Sequence, residues 1–220
     1  MIPAASHAPT ASSLVLRALR RYPERTAFAW ASGSLTYAEA AGLIGRLQHV
    51  LKDEGAFPFR AALLSANRAD AWCAEAAVQA LGCAVTWLHP MGALPDQLDQ
   101  LADSGATVLI VDPSAFRARG AELVRGANQQ LALWTLGPAD YGRDLLAAAG
   151  SAEATQPVDC ANVDDLATLN YTGGTTGKSK AAYRRQGAHA AMWRAILADF
   201  ELPDAPRYLA AAPISHVAGT

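Results

Sequence analysis

Apolar segments alternate regularly with helical patterns through the middle of the chain. The segments predicted as strands begin about 23 residues apart, at 61–65, 84–88, 107–111 and 131–136. Helical periodicity fills the intervals at 69–81, 95–104 and 115–125. A strand, a turn, a three-turn helix and a second turn need about this length, so the pattern predicts parallel strands joined by right-handed crossovers. The predicted fold class is α/β, with a predominantly parallel sheet covered by helices on both faces.

Two further groups of elements flank this alternation. Before it, the pattern predicts a helix at 10–22, capped by Ser12 or Ser13, and a hairpin of strands 26–31 and 35–37. Thr36 and Glu39 have the spacing of a capping box at the start of the next helix. After it come a strand at 166–170, a helix at 188–200 with Met192, Ile196 and Leu197 on one face, and a strand at 207–212.

These elements predict a division of the chain into three parts. Residues 1–150 form a first α/β subdomain with the N-terminal helix and hairpin, and residues 166–220 begin a second one. Residues 151–165 are small, polar and acidic and contain Pro157, which is typical of a linker.

Composition excludes several classes of protein. With 220 residues, 51% of them hydrophobic, the chain can bury a substantial core. A net charge of −2 gives no basic field for nucleic acid. The three widely spaced cysteines form no C-x-x-C pair, and no histidine stands at metal-ligand spacing, so no zinc site is expected. No segment reaches the roughly 18 apolar residues of a spanning helix, and a reduced cytoplasmic location is the simplest interpretation.

The stretch YTGGTTGKSK, from Tyr171 to Lys180, concentrates groups that bind phosphate. Its three glycines allow the backbone N–H groups to turn toward an anion, and its hydroxyls and lysines add donors and positive charge. A P-loop, G-x-x-x-x-G-K-[ST], needs glycine where Thr172 stands, so the spacing is one residue short. A glycine- and threonine-rich surface turn is the alternative without a ligand.

The same stretch resembles the nucleotide-phosphate loop of the acyl-adenylate-forming enzymes, [YF]-[ST]-[SG]-G-[ST]-T-G-x-P-K. Ser179 departs from that pattern at its proline, and Ala181 replaces the glycine that usually follows. Two other segments resemble motifs of this family in the correct order. SLTYAEA, at residues 34–40, is similar to its opening phrase, and Pro213, His216 and Gly219 match P-[LM]-[FS]-H-x-x-G.

The resemblance implies the large N-terminal domain of an enzyme that activates a carboxylic acid with ATP and transfers the acyl group to coenzyme A. It implies ATP, Mg²⁺ and coenzyme A as cofactors, and a small-molecule carboxylic acid as substrate. The absence of charge near Ala210 to Ala212 favours a fatty or other apolar acid, and an aryl acid remains open. His216 is the implied catalytic residue beside the acyl site, and Lys178 is implied to point to solvent. The implied phosphate-binding residues are Thr172, Gly173, Gly174, Thr175, Thr176, Gly177 and Lys180.

The family's adenine, ribose and magnesium sites and its C-terminal lysine follow the His216 motif, so the resemblance implies an N-terminal portion that is inactive alone. An uncovered sheet edge in such a portion predicts self-association. Two alternatives remain open: a non-catalytic phosphate-binding module, and a P-loop phosphotransferase with a helix that begins at Lys178.

Other conspicuous side chains are predicted to be structural. The tryptophans Trp72, Trp87 and Trp134 lie within apolar elements and are expected in the core. His89 follows a strand and is interpreted as a loop histidine held by backbone groups. Arg184 and Arg185 are expected to be a solvated pair.

Overall fold

A computed structural model describes residues 8–54, 57–172 and 180–215. The strands there are β1 (Thr26–Trp30), β2 (Gly33–Thr36), β3 (Arg60–Leu64), β4 (Ala84–Trp87), β5 (Val108–Val111), β6 (Ala132–Thr135), β7 (Arg143–Asp144), β8 (Leu166–Thr172) and β9 (Lys180–Arg185). The helices are α1 (Ala11–Arg21), α2 (Tyr37–Leu51), α3 (Ala69–Ala80), α4 (Leu94–Ser104), α5 (Pro113–Gly126), α6 (Leu145–Ser151) and α7 (Gln186–Asp199).

The described residues contain one seven-stranded sheet and one small hairpin. The large sheet has the order β7-β6-β5-β3-β4-β8-β9, and every neighbouring pair is parallel except β8 and β9. The crossovers predicted from the 23-residue spacing are therefore confirmed. β7 and α6 were not predicted, because two strand residues and a seven-residue helix leave little periodic signal.

Strand residues alternate between two apolar layers. Leu63 and Ile110 face the layer that contains α1, α2 and α3, whereas Leu64 and Leu109 face α4 and α5. Because successive side chains of a strand point to opposite faces, strands covered on both sides must be apolar throughout. This is why the four residues of β5 are all buried.

Local capping chemistry fixes the N-terminal elements. The capping box of Thr36 and Glu39 is confirmed, since the Thr36 Oγ1 accepts from the Glu39 N–H at 3.1 Å and the Glu39 carboxylate accepts from the Thr36 N–H at 2.7 Å. The predicted cap of α1 is wrong: Thr10, not Ser12 or Ser13, accepts from the Ser13 N–H. Ser12 instead donates its hydroxyl to the Asp159 carboxylate.

The predicted linker lies as an extended strap across the helical layer. The Gln48 side chain pairs with both backbone groups of Val158, at 2.7 and 3.0 Å, and Arg20 donates to the Pro157 carbonyl. The Cys160 N–H donates to the Ala80 carbonyl at 2.7 Å. The strap thus fastens α1, α2 and α3 together, and the division into two subdomains at this point stays a prediction.

The buried face of α7 differs from the predicted one. Ile196 and Leu197 are 45% and 59% exposed, whereas Gln186, His189 and Ala190 are buried. The helix packs against α1 through its first turns, so its burial is set by the end that follows β9. The apolar stripe predicted from the sequence lies in the C-terminal half of α7, away from α1.

Contact between the strap and α2 yields a stability prediction. A Cβ at Gly45 would lie 2.0 Å from the Thr155 carbonyl oxygen, while a Cβ at Gly42 of the same helix meets only the Arg46 guanidinium at 3.4 Å. We expect Gly45→Ala to destabilise the fold by about 1–3 kcal/mol through overpacking. Gly42→Ala is expected to stabilise it by about 0.5–1 kcal/mol through helix propensity. Urea unfolding measures both, and equal effects would contradict the packing of the strap.

Candidate functional site

The glycine-rich stretch joins two antiparallel strands. β8 runs parallel to β4, and β9 returns along β8 with Thr172 opposite Lys180. Backbone pairing therefore brings both ends of the predicted phosphate loop together. Among the predicted site residues, the following lie outside the described residues: Gly173, Gly174, Thr175, Thr176, Gly177 and His216.

The element after this loop decides between two of the sequence interpretations. A P-loop phosphotransferase places a helix directly after the loop, beginning at Lys178 in this chain. Residues 180–185 form strand β9 instead, and α7 begins only at Gln186. The P-loop alternative is therefore wrong.

The loop begins at the carboxyl edge of the parallel sheet. β3, β4, β5 and β8 all end at this edge, and their following loops carry Asn67, His89, Asp112 and the glycine-rich stretch. Ligands of open α/β sheets bind outside this edge. Sheet topology thus places the stretch where a ligand site is expected.

His89 is a loop histidine, as predicted. Its side chain is exposed, and its Nδ1 accepts from the Met91 N–H at 3.1 Å. The His89 carbonyl accepts from the Gln97 amide at 2.7 Å, which ties this loop to α4.

Tyr171 anchors the end of β8. Its hydroxyl donates to the Asp103 carboxylate of α4 at 2.6 Å. Burial raises the pKa of Tyr171, and the hydrogen bond to the neighbouring carboxylate raises it further. The phenol therefore stays protonated and keeps its role as donor, which fixes the residue that precedes the loop.

The charged residues of β9 have different environments. Lys180 is exposed, and in the described part of the chain no carboxylate lies within ion-pair distance of it. The prediction that Arg184 and Arg185 are a solvated pair holds for Arg185, which is exposed, and is wrong for Arg184. Arg185 donates to the Asp164 carbonyl, and the half-buried Arg184 lies 3.4 Å from the His189 ring.

The segment before His216 is not the strand predicted at 207–212. It pairs with no strand in the described residues, and the Asn67 side chain bonds to it instead. The Asn67 amide donates to the carbonyls of Ala210 and Ala212, and its oxygen accepts from the Ile214 N–H. Sequence reasoning missed Asn67, although an amide directly after a strand was available as a signal.

An open cavity of about 690 Å³ lies between this segment and the N-terminal hairpin. Phe28, Trp30 and Trp72 form its aromatic wall, and Ala212 and Ile214 lie opposite. Trp87 and Trp134 are buried in the core as predicted, but Trp72 is half-buried and packs against Phe28 with ring centroids 5.1 Å apart.

A buried polar cluster lies where α1, α3 and α7 meet. Glu75, Gln79 and His189 line a cavity of about 30 Å³, and the Gln79 amide donates to the Glu75 carboxylate at 2.9 Å. Burial raises the pKa of Glu75 to about 7. Burial also lowers the pKa of His189 to about 4, and the charge of Arg184 adds to that shift. Both groups are therefore neutral in slightly acidic solution.

A sequence profile described as AMP-binding enzyme matches residues 15–220. This chain belongs to the AMP-binding enzyme family. It is 34% identical over 211 residues to a medium/long-chain fatty-acid–CoA ligase of Mycobacterium tuberculosis, an alignment that covers 92% of this chain and 37% of that relative. The chain therefore spans little more than a third of the length of that relative.

Solved structures of similar fold agree with this family assignment. An amide bond synthetase from Marinactinospora thermotolerans superposes with a TM-score of 0.81 at 28% identity, covering 96% of this chain and 41% of that one. The o-succinylbenzoate coenzyme A synthetase of Bacillus subtilis, in complex with AMP, gives 0.75 at 27% identity over 93% and 50% of the two chains. The predicted α/β fold and the resemblance to adenylate-forming enzymes are confirmed.

The described residues contain neither a membrane-spanning helix nor a metal-binding cluster. None of their helices has the length and apolarity needed to span a membrane. Within the same residues, no three His, Cys, Asp or Glu side chains are grouped so as to hold a metal ion.

The buried cluster predicts an unusual dependence of stability on pH. The pKa of Glu75 is 4.5 in the unfolded chain and about 7 in the folded protein. Its contribution to stability is therefore lost as the pH rises between these values. The pKa of His189 is 6.5 in the unfolded chain and about 4 in the folded protein. Its contribution to stability is therefore lost as the pH falls between these values. Over the shared range the two effects oppose each other.

We therefore expect Glu75→Gln to stabilise the protein at pH 8 by about 1–3 kcal/mol, because the pKa of Glu75 is higher in the folded than in the unfolded state. The gain should shrink toward pH 4.5, where the wild-type carboxyl is neutral in both states. Urea unfolding across this range measures it, with Glu201→Gln on the exposed surface as the charge-matched control. A gain that does not change with pH would contradict the buried carboxyl.

Proposed function

We propose that the protein that carries this chain is an ATP-dependent acyl-CoA ligase, which activates a carboxylic acid as its adenylate and transfers the acyl group to coenzyme A. The observation that carries the proposal is the position of the glycine-rich loop, between parallel β8 and antiparallel β9 at the carboxyl edge of the sheet, in a member of the AMP-binding enzyme family.

In this proposal the loop binds the β- and γ-phosphates of ATP. Backbone N–H groups of the glycines, the threonine hydroxyls and the Lys180 ammonium balance the negative charge of the departing pyrophosphate. The residues assigned to this contact are Thr172, Gly173, Gly174, Thr175, Thr176, Gly177 and Lys180. Mg²⁺ accompanies the nucleotide, and no phosphate contact is assigned to Lys178.

The chain contributes by positioning and electrostatics. Pairing of Thr172 with Lys180 and the bond from Tyr171 to Asp103 fix the two ends of the loop relative to the sheet. His216 is assigned to the acyl and thiol side of the site.

The proposed acid has an apolar tail. The segment that leads to His216 presents Ala210, Ala212 and Ile214 to a cavity with aromatic walls, and a cavity of about 690 Å³ falls within the range typical of small-molecule sites. The fatty-acid–CoA ligase relative supports such an acid.

A second candidate differs only in the acceptor. The structure with the TM-score of 0.81 is an amide bond synthetase, so an amine is the alternative acceptor to coenzyme A. Supplying the purified protein with ATP and a fatty acid, and then with either coenzyme A or an amine, distinguishes thioester from amide as the product.

The test of the phosphate site is Lys180→Ala. We expect adenylation, measured as acyl-hydroxamate formation with a series of fatty and aromatic acids, to fall by about 10²–10³, as on loss of one stabilising donor. Lys180→Arg should retain part of the rate because it keeps the charge. Lys52→Ala, beyond the end of α2, is the matched control and should leave the rate unchanged.

A Lys180→Ala protein as active as Lys52→Ala would contradict the proposal. If no variant, including the wild type, forms a hydroxamate with any acid while the protein still binds ATP, the chain is instead part of a non-catalytic phosphate-binding module.

A further inference from the structure

Asn67 commits its whole side-chain amide to the segment before His216. Its Nδ2 donates to the Ala210 carbonyl at 2.9 Å and to the Ala212 carbonyl at 2.8 Å, and its Oδ1 accepts from the Ile214 N–H at 2.8 Å. An asparagine side chain has two N–H donors and one carbonyl oxygen, so both donors and the oxygen are used.

A bend in the segment explains why one side chain can reach all three partners. The Ala211 N–H donates to the Leu209 carbonyl at 2.9 Å, which closes a tight turn at Ala210. One amide nitrogen can therefore reach the carbonyls of both Ala210 and Ala212, which would lie about 6.6 Å apart in a fully extended strand.

Few other contacts hold this segment among the described residues. The Ile214 side chain is 7% exposed and belongs to the main apolar core. The preceding residues Tyr208 and Leu209 are 78% and 83% exposed, and the bond from the Ala211 N–H to the Leu209 carbonyl is local. Among the described residues, the position of this segment therefore depends on Asn67 and on the burial of Ile214.

The base of this anchor is itself fixed. Asn67 follows β3, and its neighbour Arg68 donates to the buried Asp112 at 2.8 Å and to Asp70 at 2.6 Å. Asp112 lies directly after β5, and its carboxylate also accepts from the Ala66 N–H at 3.4 Å. Two adjacent strand ends thus hold the loop that carries Asn67.

We infer that Asn67 is a positioning residue, which holds residues 210–214 in place as one wall of the cavity assigned to the acid. The inference rests on the proposed function in assigning that cavity to the acid. It adds that the acyl side is fixed from the end of β3, whereas the two ends of the phosphate loop are fixed by β8 and β9, so the two sides have separate anchors.

The first experiment tests the anchoring by Asn67 without an activity assay. Hydrogen exchange of backbone amides is measured by NMR on the 220-residue chain. In Asn67→Ala we expect exchange of the Ile214 amide to accelerate at least tenfold, while amides of β8 and β9 keep their rates. Asn162→Ala removes an exposed amide from another loop and is the matched control.

The isosteric variant separates hydrogen bonding from packing. Asn67→Asp retains the acceptor for Ile214 but turns a carboxylate oxygen toward two carbonyls. It should therefore disturb the segment as Asn67→Ala does. Unchanged exchange at Ile214 in both variants, with unchanged melting temperatures, would overturn the inference.

The second experiment measures how Asn67→Ala changes the kinetics of the reaction in the protein that carries this chain. Asn67→Ala is expected to raise KM for the acid and lower kcat about tenfold or more, with KM for ATP unchanged. In the double variant with Ile214→Ala, the loss should be far smaller than the product of the two single losses, because both residues hold the same segment.

Multiplicative losses in the double variant, or an equal rise in KM for ATP, would overturn the positioning role. Failure of the proposed function has a different signature: no variant forms an adenylate, yet Asn67→Ala still accelerates exchange at Ile214. That result would retain Asn67 as the anchor of the segment and refute the enzymatic role.

Discussion

Backbone pairing between β8 and β9 is the interaction on which the candidate site depends. It closes the glycine-rich stretch into a loop whose ends, Thr172 and Lys180, lie opposite each other. β8 itself is held by parallel pairing with β4, and Tyr171 adds a bond to α4. A glycine-rich sequence that binds an anion needs such a frame, because glycines that allow positive φ also cost conformational entropy when they are ordered.

Much of this frame follows from sequence periodicity. Strands at the predicted spacing, helices between them and the capping box at Thr36 all express local rules, in which the chemistry of a few neighbouring residues determines the structure. The position of the glycine-rich stretch directly after a strand was also evident. The strand that follows it, β9, was not predicted, since most of its residues are exposed and give no regular apolar alternation.

What the sequence could not predict are contacts between distant segments. Asn67 bonds to residues more than 140 positions away, and the strap residue Thr155 lies against Gly45. Neither contact has a local pattern. The expected strand at 207–212 failed for the same reason, because strand formation needs a partner that local propensity does not supply. The buried face of α7 was misjudged since its polar first turn packs against α1.

An NMR titration of the isotopically labelled chain with ATP and, separately, with AMP tests most directly whether the loop between β8 and β9 binds nucleotide phosphates. We expect the largest shifts at the amides of Thr172 to Lys180, and larger shifts with ATP than with AMP, because only ATP carries the β- and γ-phosphates. Equal shifts with the two nucleotides, or shifts confined to other parts of the sheet, would contradict the assignment of this loop.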